Sequence, residues 1–237
     1  MARLGVNIET IAALRLLGRQ EEPDPLAAVV FAEIGGADGI VCPFREEGRP
    51  VSERDIRLIK EVVKTHFNLQ IFPGDALMAV ALEIAPDMVT LVPGKKPGAT
   101  PGGGLDVLGH EQALAKVIQD LRDRDIVVSV LVEPIIQQIK SAAKLGVDYI
   151  ELHLGRYAAA TDLTEKSDML DVIGASAAAA SKIGLGVAAG RGVDYQNVSD
   201  IAAVGQIEEI NVGQAIAARA MWVGMEAAVR DMAALVR

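Results

Sequence analysis

Three observations predict an α/β chain folded as a closed barrel of eight parallel strands. Eight short apolar runs alternate with helical patterns along the whole sequence, and a helix between two strands returns the chain to the same edge, which favours parallel pairing. A weak internal repeat, AEIGGADGIV at 32–41, AKLGVDYIEL at 143–152 and AAVGQIEEINV at 202–212, has one grammar: helix end, glycine, acidic residue, apolar strand. The stretch 184–213 joins two short apolar runs, each ending in glycine-rich backbone, at the place where a (β/α)8 (TIM) barrel grips phosphate after strands seven and eight. With 237 residues, 51% of them apolar and 3% aromatic, the chain suits one aliphatic-cored domain over 1–237 with extra helices.

The elements follow in order. Residues 4–8 read as the first strand, ending in the polar cluster Asn7, Glu9 and Thr10, before a helix over 11–17. A helix over 23–34 leads through Gly35 and Gly36 into a strand at 39–44, with Arg45 at its end. Ser52 and Asp55, three apart, form a capping-box pattern for a helix with Ile56, Ile59 and Val63 on one face. Strands three and four lie at 68–72 and 88–92. The Gly- and Pro-rich stretch 93–104 that follows reads as a lid carrying Lys95, Lys96 and Thr100, and lacks the Walker spacing. A helix over 112–122 precedes a β-branched strand at 126–132, and Pro134 and Gly146 bracket the next helix. Strand six, 149–154, carries Glu151 and His153. An Ala-rich helix over 165–183 precedes strand seven, and one long helix over 215–236 closes the chain.

A net charge of −9 and a pI near 4.9 count against nucleic acid or an anionic membrane as partner, so an anionic ligand must be held locally. No apolar run approaches the roughly 18 residues of a membrane span. The single cysteine, Cys42, allows no disulfide framework, and the first residues lack a signal-peptide pattern, so a cytoplasmic location is expected. Cys42 reads as a small buried hydrophobe sooner than as a nucleophile, His66 and His110 as surface residues, and Leu16, Leu17, Trp222 and Met225 as core packing sooner than as an interface. The histidines have no metal-ligand spacing, and no metal or cofactor is expected.

Barrels place their chemistry at the C-terminal ends of the strands. One mouth should therefore gather Asn7, Glu9, Cys42, Arg45, Gln70, Glu133, Glu151, His153, Arg191, Asn211 and Gln214. Arg45 and Arg191 are candidate anion clamps, since guanidinium matches phosphate oxygens in pairs; a rim salt bridge fits them equally. Glu151 lies in an apolar strand, where a carboxylate needs a partner or a raised pKa, and this makes it an acid/base candidate or one half of a structural ion pair. A period of two puts His153 on the same face.

Read together, the blocks GVNIETIAALR (5–15), GADGIVCPFREE (36–47), LVPGKKPGATPGGGLDV (91–107), YIELHLGRYA (149–158), GVAAGRGVDYQNV (186–198) and EINVGQAIAARA (209–220) resemble the pyridoxine 5′-phosphate synthase family. The resemblance implies a barrel with extra helices, octamers built from dimers and no metal. It also implies condensation of 1-deoxy-D-xylulose 5-phosphate with 3-amino-2-oxopropyl phosphate to close the pyridine ring of vitamin B6. By the same resemblance Asn7, Arg45, Thr100, Glu151, Gly192 and Gly213 match functional positions, and Arg19 stands beside Gly18, where the family has an arginine.

Other positions depart from the family pattern. The family's catalytic His of strand two is Pro43 here, its Glu of strand three is Gln70 and its His of strand seven is Arg191. The phosphate-loop His is Gln214, the Asp-His after strand one is Glu9 and Thr10, and a ligand-binding His is Pro50. Proline has no side-chain proton, glutamine does not titrate, and arginine stays charged. The expectation is therefore a divergent member acting on a small phosphorylated keto or amino substrate, with Glu151, His153 and Glu9 in proton transfer and Arg191, Gly192, Gly213 and Gln214 around phosphate. The alternatives are the synthase reaction itself with relocated groups, and a phosphate-ligand binder without catalysis.

Overall fold

The computed structural model describes residues 1–18, 21–45, 50–94 and 103–237. Eight strands, β1 (Arg3–Asn7), β2 (Gly39–Phe44), β3 (His66–Ile71), β4 (Met88–Leu91), β5 (Val127–Val132), β6 (Tyr149–His153), β7 (Gly186–Gly190) and β8 (Glu209–Val212), pair in parallel in chain order. β8 returns to β1 and closes the barrel. Around them lie α1 (Glu9–Gly18), α2 (Pro25–Gly35), α3 (Glu53–Val62), α4 (Asp75–Ile84), α5 (Glu111–Arg122), α6 (Ile136–Lys144), α7 (Gly155–Ala159), α8 (Leu163–Lys182), α9 (Val198–Ala202), α10 (Gln214–Val223) and α11 (Met225–Val236).

Three expectations need correction. The closing helix is two helices, because Gly224 adopts φ 83° and ψ 157°, which no helical turn accommodates. His66 is not a surface residue but opens β3, half-buried, with its Nε2 making no hydrogen bond among the described residues. Leu16, Leu17 and Trp222 are not core: they are 56%, 82% and 85% exposed, near the C-terminal ends of α1 and α10. The predicted capping box is present, with Ser52 and Asp55 satisfying each other's backbone N–H groups. Asp55 also takes a two-pronged bond from Arg15 (2.9 and 2.6 Å), whose guanidinium reaches the Pro50 carbonyl and so ties α1 to the entry of α3.

The repeated turn has a mechanical purpose. Asp38, just before β2, accepts the Leu4 N–H of β1; Asp87, before β4, accepts the Phe67 N–H of β3; and Asp148, before β6, accepts the Val128 N–H of β5, all at 2.8–2.9 Å. Each aspartate clasps its strand to the neighbour on one side and sets the register of a strand pair. The β4 copy is hidden in the sequence because Ala85, at φ 47°, stands where Gly36 and Gly146 take the left-handed conformation in the other turns.

The apolar core lies between the strands and the helices, where Leu4, Val6, Ile40, Phe44, Phe67, Leu69, Ile71, Val130, Ile150, Leu152, Val187 and Ile210 are almost wholly buried. The barrel interior is different. A Cβ on Gly5 would fall 2.0 Å from Asn211 Oδ1 and 3.2 Å from a Val41 methyl, so Gly5 faces inward, and alternation along β1 turns Arg3 and Asn7 the same way. Asn68, Gln70, Thr90, Ser129, Glu151, Glu209 and Asn211 are also buried. Barrels usually fill this space with branched aliphatics. Here small and polar residues share it, and the chemistry at the mouth continues down into the barrel.

Candidate active site

Glu151 is the centre of the mouth. β6 buries it to 2% exposure, and its Oε2 accepts a hydrogen bond from Gln70 Nε2 of β3 at 2.9 Å. Gln70 Oε1 in turn accepts from Arg191 Nη2 at 3.4 Å, so carboxyl, amide and guanidinium form a chain across β3, β6 and the end of β7. Burial pushes the Glu151 pKa up, opposed by the charge of Arg191 and by the Asn211 and Gln70 amides. The Asn211 amide lies close by but reaches full hydrogen-bond geometry with no described group.

The backbone makes room for this chain. A Cβ on Gly190 would sit 2.3 Å from Glu151 Oε1, so β7 must carry glycine opposite β6 for the carboxyl group to occupy its position. Past Gly190 the chain turns through two left-handed residues, Arg191 (φ 71°) and Gly192 (φ 84°). A non-glycine residue there costs about 1–2 kcal/mol. The following turn over-determines it: Asn197 Nδ2 donates to the Gly192 carbonyl, and Asp194 and Asn197 exchange side-chain and backbone bonds. The strained position swings the Arg191 guanidinium back over the mouth toward Gln70 instead of along the rim.

A second group assembles at the end of β1. Glu9 and Arg45 form an ion pair, with Arg45 Nη2 at 3.0 and 3.2 Å from the two carboxyl oxygens. Asn7 accepts the N–H of Glu9, the first residue of α1, on Oδ1 at 2.9 Å, and its Nδ2 donates to no acceptor among the described residues. Gly213 approaches Asn7 so closely that an added Cβ would lie 3.0 Å from Asn7 Cβ. Gly213 is the N-cap of α10 and supplies no side-chain cap, so among the described residues no side chain caps the first N–H groups of that helix; Gln214, at its first position, is exposed.

His153, on the face of β6 that carries Glu151, is half-buried. Pro43 is buried on β2 in register with Gln70. Cys42 is fully buried and, by alternation from the inward-facing Val41, points away from the mouth into the helix layer; burial pushes its thiol pKa well up, which excludes it from thiolate chemistry. Arg19, Thr100, Lys95, Lys96 and most of the predicted lid lie outside the described residues. Among the described residues no cluster of His, Cys, Asp or Glu is placed to hold a metal ion, and no helix is long and apolar enough to cross a membrane. Inspection of the sequence did not single out Gly190 and Gly5 as the residues that make room for Glu151 and Asn211. The available signal was an inward glycine in register beside a buried polar residue.

This architecture, a closed (β/α)8 barrel with a buried carboxyl group and two arginines at the C-terminal mouth, defines the class of the protein as a parallel α/β barrel with its charged side chains gathered at one mouth. The family model described as Pyridoxal phosphate biosynthesis protein PdxJ matches residues 4–237. The chain belongs to this family. It is 45% identical over 237 residues to a pyridoxine 5′-phosphate synthase of Geotalea daltonii, and 44% identical over 237 residues to those of Geobacter metallireducens and Nostoc sp.. In each case the match covers 100% of this chain and 99% of the relative. Among solved structures, the native KDPGal structure aligns at TM-score 0.65 with 14% identity, covering 98% of this chain and 93% of the other. Phosphoribosylanthranilate isomerase from Thermotoga maritima aligns at TM-score 0.58 with 15% identity, covering 100% and 98%. These two likenesses concern the fold alone.

Proposed function

We propose that this chain carries out the condensation attributed to its relatives, joining 1-deoxy-D-xylulose 5-phosphate and 3-amino-2-oxopropyl phosphate to give pyridoxine 5′-phosphate, with proton transfer centred on Glu151. The observation that carries the reading is the Gln70–Glu151 hydrogen bond within a chain that matches the synthases over its full length. The family pattern puts a catalytic carboxyl group on β3; here β3 supplies an amide, and the ionisable carboxyl group in contact with it comes from β6. Glu151, itself one of the positions that match the family, remains as the titratable carboxyl group of the cluster, with its pKa raised by burial. Arg191 and Arg45 offer charge to phosphate or to a developing oxyanion, and the α10 N-terminus offers N–H groups to the second phosphate.

A second reading, that the mouth serves a different phosphorylated keto or amino substrate, is favoured by Pro43, Arg191 and Gln214, none of which titrates near neutral pH. Incubation of the protein with both proposed substrates, followed by mass spectrometry for pyridoxine 5′-phosphate, separates the readings. Product supports the first. Absence of product beside an active control synthase overturns it and turns the search to other phosphate esters that raise the melting temperature. Under the first reading Glu151→Gln, which keeps shape and hydrogen bonding but cannot titrate, should lower kcat by 10²–10⁴ with little change in ligand affinity. Unchanged turnover would remove Glu151 from the role. Self-association is part of the same proposal, supported by the exposed Leu17, Met221 and Trp222, and sedimentation velocity measures it.

A further inference from the structure

His153 ends β6 two residues beyond Glu151, roughly 7 Å further along the strand on the same face. Its orientation is set locally, because the Gly155 backbone N–H donates to its Nδ1 at 3.2 Å. An amide N–H cannot accept, so Nδ1 presents its lone pair to Gly155 and the proton of the neutral ring sits on Nε2. The charged groups that face the ring are Arg191 and Glu133; burial and Arg191 lower its pKa, and Glu133 raises it. The net direction is downward, which keeps the ring neutral near pH 7. Nε2 has no acceptor among the described residues. The ring lines a cavity of about 130 Å³, together with Glu133, Pro134, Ile135, Tyr157 and Met169 among others.

We propose that His153 acts as a fixed neutral hydrogen-bond donor, through Nε2–H, to a carbonyl or hydroxyl oxygen of the molecule bound above Glu151. This rests on the reading that the mouth takes a small phosphorylated keto or amino substrate. A general base needs a lone pair aimed at the substrate, and the lone pair of this ring is already held by Gly155. A neutral imidazole donor instead polarises an oxygen without taking a proton from it, while Glu151 below remains the group that exchanges protons. The wall Gly155 provides is close: a Cβ there would lie 2.6 Å from His153 Cε1, so the turn after β6 holds the ring as well as its tautomer.

Two-bond proton–nitrogen correlation spectra of the protein labelled with ¹⁵N-histidine test this directly, since the sequence has only three histidines and His153→Gln assigns the signal. The expected result is a neutral Nε2–H ring at pH 7, with the Nε2–H resonance moving when 1-deoxy-D-xylulose 5-phosphate is added. An Nδ1–H tautomer or an imidazolium at pH 7 overturns the proposal, as does saturation by the substrate, seen at other resonances, with no movement at Nε2–H. In turnover, His153→Gln, which keeps an N–H donor at similar reach, should stay within about 5-fold of wild type, whereas His153→Leu should lose about 10²-fold with the shape of the pH profile unchanged. Equal losses in both variants with disappearance of the acidic limb would make His153 a base and sink the idea. Failure of the substrate to bind sinks the synthase reading instead, and the tautomer measurement still stands or falls alone.

Discussion

Glu151, Gln70 and Arg191 are 81 and 121 residues apart along the two links of their hydrogen-bonded chain, and what lets them meet is the missing side chain of Gly190. Its φ is not in the left-handed region, so alanine fits the backbone, but the new methyl would collide with Glu151 Oε1, the movable end of a side chain. Gly190→Ala should therefore still fold, at an overpacking cost of about 1–3 kcal/mol, while displacing the carboxyl group and lowering turnover about 10²-fold. Wild-type turnover in a folded variant would show that the carboxyl position does not matter. At this scale the sequence was partly legible. A glutamate in an apolar strand announced itself as needing a partner, but the identity of the partner was not legible, because strand order and register decide which inward side chains face one another. The same holds for Glu9 and Arg45, both singled out as mouth residues and found as a pair. Cys42 was placed at the mouth by position, and the period of the strand turns it to the other side.

Among the elements, helices and strands followed their local patterns closely, and the misses have local causes. α4 is absent from the sequence reading because the run from Asp75 to Ile84 is apolar nearly all round and shows no clear face. The split of the last helix turns on one glycine, whose open conformation neighbouring residues do not forecast. Two substitutions test the element-level energetics. Gly174 lies inside α8 with nothing within 4 Å of where its Cβ would be, so Gly174→Ala should raise stability by about 0.5–1 kcal/mol. Chemical denaturation measures this, and a loss would mean that α8 needs flexibility there. Ala85 ends α4 in the left-handed region, and Ala85→Gly should stabilise by about 0.5–1 kcal/mol, the relief of the Cβ contact outweighing the added freedom of the unfolded chain. A lower denaturation midpoint for this variant would remove strain as the description of that turn.

For the whole molecule, the polar barrel interior ties stability to pH. Glu209 is 3% exposed, and burial pushes its pKa up to about 7, against the pull of Arg3 at 3.6 Å and with the help of Glu151 and Asp38. A carboxyl group raised on folding stabilises the fold fully only below its unfolded value, near 4.5. That stability is lost as pH rises through the window up to about 7. The Glu209 share of this loss should be on the order of 3 kcal/mol, and Glu209→Gln should remove that share, leaving the contributions of Glu151, raised by burial in the same sense, and of His66 and His153, lowered in the opposite one. Urea unfolding of wild type and Glu209→Gln at pH 5 and pH 7.5 checks this, and an equal change in stability between the two pH values in both proteins would contradict it. Asp55 acts in the opposite sense. Burial opposes its ionisation, but Arg15 and Ser52 hold it down to about 2, so its contribution is present above the ordinary carboxylate range and lost as pH falls toward 2. The two windows are separate and can be resolved in one titration of stability.

The sequence by itself determined the eight strands, the parallel alternation, the turn grammar of glycine and acidic residue, and membership of the barrel family. Each of these is written in residues close together in the chain, in periods of 2 and 3.6 and in glycines at helix ends. Only the tertiary structure decided that Gln70 bridges Glu151 to Arg191, that Arg191 reaches the mouth from a left-handed turn, that the Gly155 N–H meets His153 Nδ1, and that Glu209 is shut inside the barrel. These depend on which strands become neighbours and how far each is shifted against the next. Closure of the barrel sets both for the whole sheet at once, so no single segment of the chain contains them.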